Sequence, residues 1–287
     1  MGRKIILPQP VRRVVSLVPS DTETLFALGV GDRLVGRTRY CEEPADLIAK
    51  VPTIGGTKDV DIDALMSLQP DLVLANQEEN SRSDLEALAA RGARVFVSFP
   101  KRFNDAIAHV ARLARMFEAR EESKEMLRGG YALQAEALGQ QAQAEPVAVF
   151  VPIWRDPLMT FADHTYAHDL LRLAGARNVF ADRERKYPLK ADLGLRSPLP
   201  ADQVANRDTR YPRITESEIA SRAPELILLP DEPHKFSEED RDYFLGGDTP
   251  AASKQKVHFV SGKDLFWPGS RSADALLRLR TLIAKFR

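Results

Sequence analysis

The stretch RVVSLVPSDTETLFALG, residues 13–29, decides the fold class of this chain. Val14, Val15, Leu17 and Val18 form a short apolar run rich in β-branched side chains, as expected of a buried strand. Pro19 has no N–H for a sheet ladder, so the strand is expected to stop there. Ser20 followed by Glu23 has the spacing of a capping box, whose hydroxyl and carboxylate satisfy backbone N–H groups at a helix start and contribute roughly 1 kcal/mol. A helix from Ser20 to Leu28 is therefore expected. In open α/β sheets, ligands sit beyond the carboxyl ends of the strands, where helix N-termini offer unpaired N–H groups and a partial positive charge. The hydroxyl-rich turn is thus a candidate binding wall, although strand-turn-helix joints of this kind occur in every α/β protein.

Outward from this unit, strand and helix signals alternate. RLVGR, a helix near Ile62 to Leu68, DLVLA, the helix SDLEALAARG and RVFVSF complete an α/β lobe with a mainly parallel sheet. From Phe103 to Gln143 the pattern becomes helix without strand: AIAHVARLARMF carries an apolar stripe, and EESKEMLRGGYALQAEALGQQAQ reads as a long polar helix interrupted at Gly129-Gly130. After Pro146, VAVFVPIW, the helix YAHDLLRLAG, the strands ELILLP and KVHFVSG and the closing helix SADALLRLRTLIAKF define a second α/β lobe. The expected organisation is an N-terminal lobe over 1–118, a connecting helix over 119–145 and a C-terminal lobe over 146–287. Two lobes also suit the length of 287 residues, since single cores stop growing at about 250 to 300 residues.

Two phrases share order and chemistry. IDALMSLQPDLVLANQEE and ESEIASRAPELILLPDEP each read helix, then proline and an acid, then apolar strand, then acidic loop. Their equivalent placement suggests that one unit has been duplicated, which would set matching strand ends, and a ligand, across a cleft. The second half also contains a polar segment over 182–213 without periodicity, in which Arg183, Arg185, Lys186 and Tyr187 cluster. A segment of that length is either a solvated charged loop or a lid.

Charge and cysteine content narrow the classes. The 41 basic and 41 acidic residues balance to zero, so no global field favours nucleic acid or an acidic membrane. Cys41 is the single cysteine, which excludes an intrachain disulfide and a cysteine-rich metal cluster. No apolar stretch reaches the roughly 18 residues of a membrane helix. MGRKIILPQP lacks the features of a secretory leader, so the sequence as it stands reads as cytoplasmic, and as periplasmic or cell-envelope if a leader has been removed. A G-x-S-x-G elbow and a G-x-x-x-x-G-K-[ST] phosphate loop are both missing. His164 and His168, flanked by Asp163 and Asp169, have the i, i+4 spacing that puts two imidazoles on one helix face and would suit zinc or manganese. The same histidines with Asp163 would serve a two-lobe tetrapyrrole metal chelatase, the main enzymatic alternative.

Four phrases, RVVSLVPSDTETLFALGVGDRLVGRTRYCEEP, VPTIGGTKDVDIDALMSLQPDLVLA, WRDPLMTFADHTYAHDLLRLAGARNVFAD and KDLFWPGSR, together resemble the helical-backbone (class III, TroA-like) periplasmic substrate-binding proteins of ABC importers, in particular the cobalamin-binding branch. The resemblance implies two Rossmann-like lobes joined by one long helix, a metal chelate captured between them, no catalysis, no catalytic cofactor, a monomer and an ABC permease as partner. It implies ligand contacts at Pro19, Ser20, Tyr40, Ile54 and Gly55 in the first lobe and at Trp154, Phe161, Tyr211, Asp264 and Trp267 in the second. Tyr40 and Tyr211 could stack on a large flat ring, while each aromatic also has the plain reading of a core side chain, Phe161 more than Tyr40 or Trp154. Haem or a ferric siderophore, or a divalent metal ion, are the alternative ligands.

The chain departs from the family pattern in three places. Ile54 stands in TIGG where cobalamin binders carry a tryptophan, so one ring clamp is missing. The acids that dock the permease correspond to Asp63 and, in the second lobe, to a position occupied by Ser217 between Glu216 and Glu218. Acids at helix starts are also what the helix dipole favours. The segment 182–210 is longer than in simpler members; as a lid, its basic residues would favour a ligand bearing phosphate or carboxylates.

Overall fold

A computed structural model describes residues 6–8, 10–141, 144–205 and 207–287. The expected connecting segment therefore includes two residues, 142 and 143, outside the described ones. The chain divides into two compact units, one of Met1–Pro100, Asn104–Ala132 and Trp267–Ala273, the other of Lys101–Phe103, Leu133–Phe266 and Asp274–Arg287.

The first unit contains β1 (Val14–Ser16), α1 (Pro19–Ala27), β2 (Leu34–Arg37), α2 (Ala45–Ile48), α3 (Ile62–Ser67), β3 (Leu72–Asn76), α4 (Arg82–Ala90), β4 (Val95–Ser98), nearly all of α5 (Phe103–Met116) and the first part of α6 (Arg120–Gln140). Its sheet is parallel, in the order β2-β1-β3-β4. Alternation along the strands feeds two apolar layers. Val14, Leu72 and Leu74 pack with Leu25, Leu28, Val110, Leu113 and Phe117, whereas Val15, Leu17, Val73 and Ala75 pack with Ile54, Leu65 and Leu88.

The second unit holds the remainder of α6, then β5 (Val147–Phe150), β6 (Trp154–Arg155), β7 (Leu158–Met159), α7 (Tyr166–Leu173), β8 (Ala176–Asn178), α8 (Leu189–Asp192), α9 (Ala201–Val204), α10 (Glu216–Arg222), β9 (Leu226–Pro230), α11 (Glu238–Leu245), α12 (Pro250–Ser253), β10 (Val257–Val260), α13 (Gly262–Phe266) and most of α14 (Ser272–Ala284). The parallel sheet β10-β9-β5-β8 encloses a core of Phe150, Ile227, Leu229 and Val257 with Phe180, Ile219 and Phe244. Numbered within the unit and read from its other edge, the strand order is second, first, third, fourth, as in the first unit. The paired phrases occupy equivalent places, α3 into β3 and α10 into β9, which is the topology that duplication of one unit produces.

Three local expectations are corrected. β1 ends at Ser16, and α1 begins at Pro19 with Val18 as its N-cap, so Ser20 lies inside the first turn and makes no capping box. Proline at the first helical position is pre-set for the helix and lacks an N–H that would be unsatisfied there. Glu23 instead accepts two hydrogen bonds from Arg271, at 2.6 and 2.7 Å. Gly129 and Gly130 do not interrupt α6. A Cβ on Gly130 would lie 2.7 Å from Ile107 Cδ1, so this glycine permits α5 and α6 to approach closely.

Candidate functional site

In a sheet of order 2-1-3-4, helices cross to opposite faces on either side of the first and third strands, and the crevice beyond those strand ends is where doubly wound folds bind ligands. In the first unit these ends are the turn after β1 and the loop after β3. Asn80 fixes both. Its side chain donates to Leu17 O and to Thr57 O, each at 3.1 Å, and its Oδ1 accepts from Asn76 N at 2.8 Å. The third segment at this end, after β2, is held by Arg37, which donates to the carbonyls of Ile48, Val51, Thr38 and Cys41.

The expected ligand contacts of this unit fall into two groups. Tyr40 is 50% exposed at the tip of the loop after β2, with the Arg39 guanidinium 5.1 Å from its ring. Gly55 borders the same end and has φ +98, with a bridge to Val60; a Cβ would meet Asp59 O at 2.3 Å, so only glycine fits. Pro19 and Ser20 are buried in the first turn of α1, and the Ser20 hydroxyl has no hydrogen-bond partner among the described residues. Ile54 is only 2% exposed and packs in the core beside Val15 and Leu65, because its strand-like segment pairs with Arg37 and turns the side chain inward. Trp267 is buried too and belongs to this unit, with Arg271 5.2 Å from its ring.

In the second unit the chain leaves β5 into a small antiparallel ladder. β6 pairs with β7, Trp154 opposite Met159, and Met159 bridges antiparallel to Arg213. The flanking bonds, Thr160 N to Pro212 O at 3.2 Å and Ile214 N to Leu158 O at 2.9 Å, make Met159 and Arg213 a non-hydrogen-bonded pair, the geometry that brings side chains closest. Residues opposite each other share a face. Trp154, Met159 and Arg213 therefore form one row, while Leu158 and Ile214 point into the core. Trp154 is 44% exposed, donates from Nε1 to Asp156 O at 2.9 Å and lies 5.4 Å from the His234 ring. Tyr211 is half-buried, with Arg210 5.3 Å from its ring. Phe161 is 1% exposed and packs edge-on against Phe266, and Asp264 is buried in a two-bond pair with Arg278 at 2.7 Å. These two side chains are engaged in the protein interior.

Of the acids expected to dock a permease, Asp63 and Glu216 are exposed, paired with Arg91 and with the Tyr243 hydroxyl respectively. Burial and that bond to Glu216 push the Tyr243 phenol up to about 12. Glu218 is turned inward: it completes a capping box with Thr215 and accepts from Arg183 Nε at 2.8 Å. The paired-histidine reading is also corrected, because α7 starts at Tyr166 with Thr165 as N-cap, leaving His164 outside the helix at φ 58. Asp169 accepts from Phe103 N and from Arg172, and burial holds His168 below its ordinary range. Among the described residues no group of three His, Cys, Asp or Glu side chains could hold a metal ion.

Among its described residues the segment 182–213 contains the short helices α8 and α9 and no longer helix, and it is anchored by a buried arginine. Arg183 donates to Glu218, to Asp192 Oδ1 at 3.0 Å, to Asp192 O at 2.7 Å and to Arg213 O at 3.2 Å. Sequence reasoning missed Asn80, the ladder position of Arg213, and His109, whose Nε2 lies 2.6 Å from Asp21 Oδ1 in the buried interior. An apolar helical stripe gives no sign that its one histidine meets an acid on another helix; Asn80, the last residue of ANQEEN, carried at most a turn signal.

Residues 14–251 match the family described as periplasmic binding protein, and the chain belongs to that family. The Vitamin B12-binding protein of Yersinia pestis is 28% identical over 180 residues, 63% of this chain and 64% of that relative, so the chain spans somewhat less than two thirds of that curated relative's length. The periplasmic vitamin B12 binding protein BtuF of Vibrio cholerae has the same fold, with a TM-score of 0.75, 19% identity and coverage of 97% of this chain and 98% of that one. The periplasmic heme-binding protein RhuT of Roseiflexus sp. RS-1 is similar at a TM-score of 0.72 and 19% identity, over 96% of this chain and 98% of that one. The two parallel-sheet lobes and the long helix expected from the sequence are thus those of this family.

Proposed function

We propose that this chain is the substrate-binding component of an ABC-type importer and that it captures cobalamin or a related metal chelate. The observation that carries the reading is the 28% identity to a Vitamin B12-binding protein, within a chain of which residues 14–251 match the periplasmic binding protein family and 97% shares the fold of one such protein. Tyr40 and Trp154 support it, since each is a large exposed aromatic beyond the carboxyl end of a parallel strand, Tyr40 in the loop after β2 and Trp154 in the β6-β7 ladder after β5. Such side chains give a flat macrocycle apolar area at low entropic cost. Pro19, Ser20, Gly55 and Tyr211 would complete the contacts, with Ile54, Phe161, Asp264 and Trp267 supporting them from the interior.

The role is capture without turnover, in the periplasm, with delivery to a permease. Asp63 and Glu216 would provide one exposed docking acid in each unit. Haem or a ferric siderophore is the second reading, favoured by a buried Ile54 at the position where cobalamin binders carry a ring-clamping tryptophan. Tryptophan fluorescence tests the role: quenching that saturates with cyanocobalamin or hemin supports it, and a signal unchanged by both opposes it.

A further inference from the structure

Three guanidinium nitrogens in the second unit, Arg185 Nε, Arg213 Nε and Arg213 Nη1, are buried without an acceptor among the described residues. Buried donors left unpaired are costly, and guanidinium donors more so. The acids nearby are already engaged. Asp192 accepts from Arg183, Lys186 N and Arg213 N, and Asp208 accepts from Arg210 Nε at 2.9 Å and Nη2 at 2.6 Å.

One carboxylate gathers the segments that carry the two arginines: Asp192 Oδ1 accepts from Lys186 N, next to Arg185, and Asp192 Oδ2 accepts from Arg213 N. Arg185 N donates to Thr209 O at 2.7 Å, and Arg185 and Arg207 approach the Tyr187 ring at 4.7 and 4.9 Å. Burial and then the charge of Arg185 push Arg213 below its ordinary value, as a like-charged neighbour does. Arg213 also stands in the row with Met159 and Trp154, so its guanidinium stem rises on the face that carries the exposed tryptophan. Unpaired fork donors on two neighbouring cations match the oxygen geometry of phosphate and carboxylate.

We propose that Arg185 and Arg213 form a receptor for an oxyanion on the captured ligand, a phosphodiester or a carboxylate. This rests on the capture reading above and adds the chemical group that the ligand must carry. The anion would supply the missing acceptors and offset the repulsion between the guanidinium groups, while the ring packs toward Trp154.

Calorimetry on the full chain separates the sources. The phosphodiester arm compares cyanocobalamin with dicyanocobinamide, which has the corrin ring without the nucleotide; the carboxylate arm compares hemin with its dimethyl ester. Arg185→Gln and Arg213→Gln, singly and together, are set against Arg196→Gln, which removes an exposed charge from the same segment. The expected result is that one anionic ligand loses at least about tenfold in affinity in the double variant, the scale of one charge-assisted contact, while its uncharged counterpart and the Arg196→Gln protein change little. Equal affinity of the wild-type and double-variant proteins for the anionic ligand would overturn the proposal. If neither ring compound binds, the capture reading fails and inorganic phosphate decides the receptor: a rise in Tm for wild type alone supports it, and equal rises or none overturn it. Circular dichroism and the single variants guard against a folding defect.

Discussion

His109 Nε2 lies 2.6 Å from Asp21 Oδ1, and both side chains are fully buried in the first unit. The pair ties α5 to the first turn of α1, and the Phe96 ring stacks on the imidazole at 5.9 Å. Removing either partner would leave a buried polar group without its main contact. His109→Ala is expected to destabilise the protein by roughly 2 to 5 kcal/mol, measured as a lower urea midpoint at unchanged m.

Trp154 is placed for contact rather than packing, with its indole held by Asp156 O and one side open. Trp154→Ala is expected to lower ligand affinity about tenfold or more, as loss of a central aromatic contact does. Thermal denaturation should show a Tm close to that of wild type.

Ile54 has the opposite role. Its side chain fills the layer between β1, α3 and β3, so Ile54→Ala should open a cavity and cost about 2 to 5 kcal/mol. Denaturant titration would read this loss. Ligand affinity per folded molecule should be nearly unchanged.

Two half-buried histidines predict a pH dependence. Burial, followed for His258 by Arg241 and Lys285, holds His168 and His258 below the ordinary value of 6.5. The unfolded chain then takes up protons near pH 6.5 while the folded chain resists, so the unfolded state binds more protons. Stability is therefore full above that value and falls as pH drops below it. Tm measured between about pH 7.5 and 5 should decline in wild type and decline less in His168→Gln and His258→Gln.

The lobes were legible because their central strands are buried on both faces, so DLVLA and ELILLP appear as continuous apolar runs between helical periods. The strand Ala176–Asn178 was not legible, since ARN has neither apolar run nor alternation and pairs only as an edge. The Trp154–Met159–Arg213 row depends on pairing across more than fifty residues, which no local pattern reports. The supposed capping box failed for a similar reason: Glu23 found a distant arginine that its spacing to Ser20 could not reveal. Tyr40 and Trp154 emerged exposed, whereas Ile54, Phe161 and Trp267 emerged buried, because the resemblance locates a position along the chain but only the register decides which way the side chain turns.

The central claim is capture of a metal chelate, and isothermal titration of the purified chain with cyanocobalamin, with hemin run in parallel, tests it most directly. The account predicts saturable one-to-one binding of one of them, weakened by Tyr40→Ala and by Trp154→Ala. Absence of binding by both would contradict it.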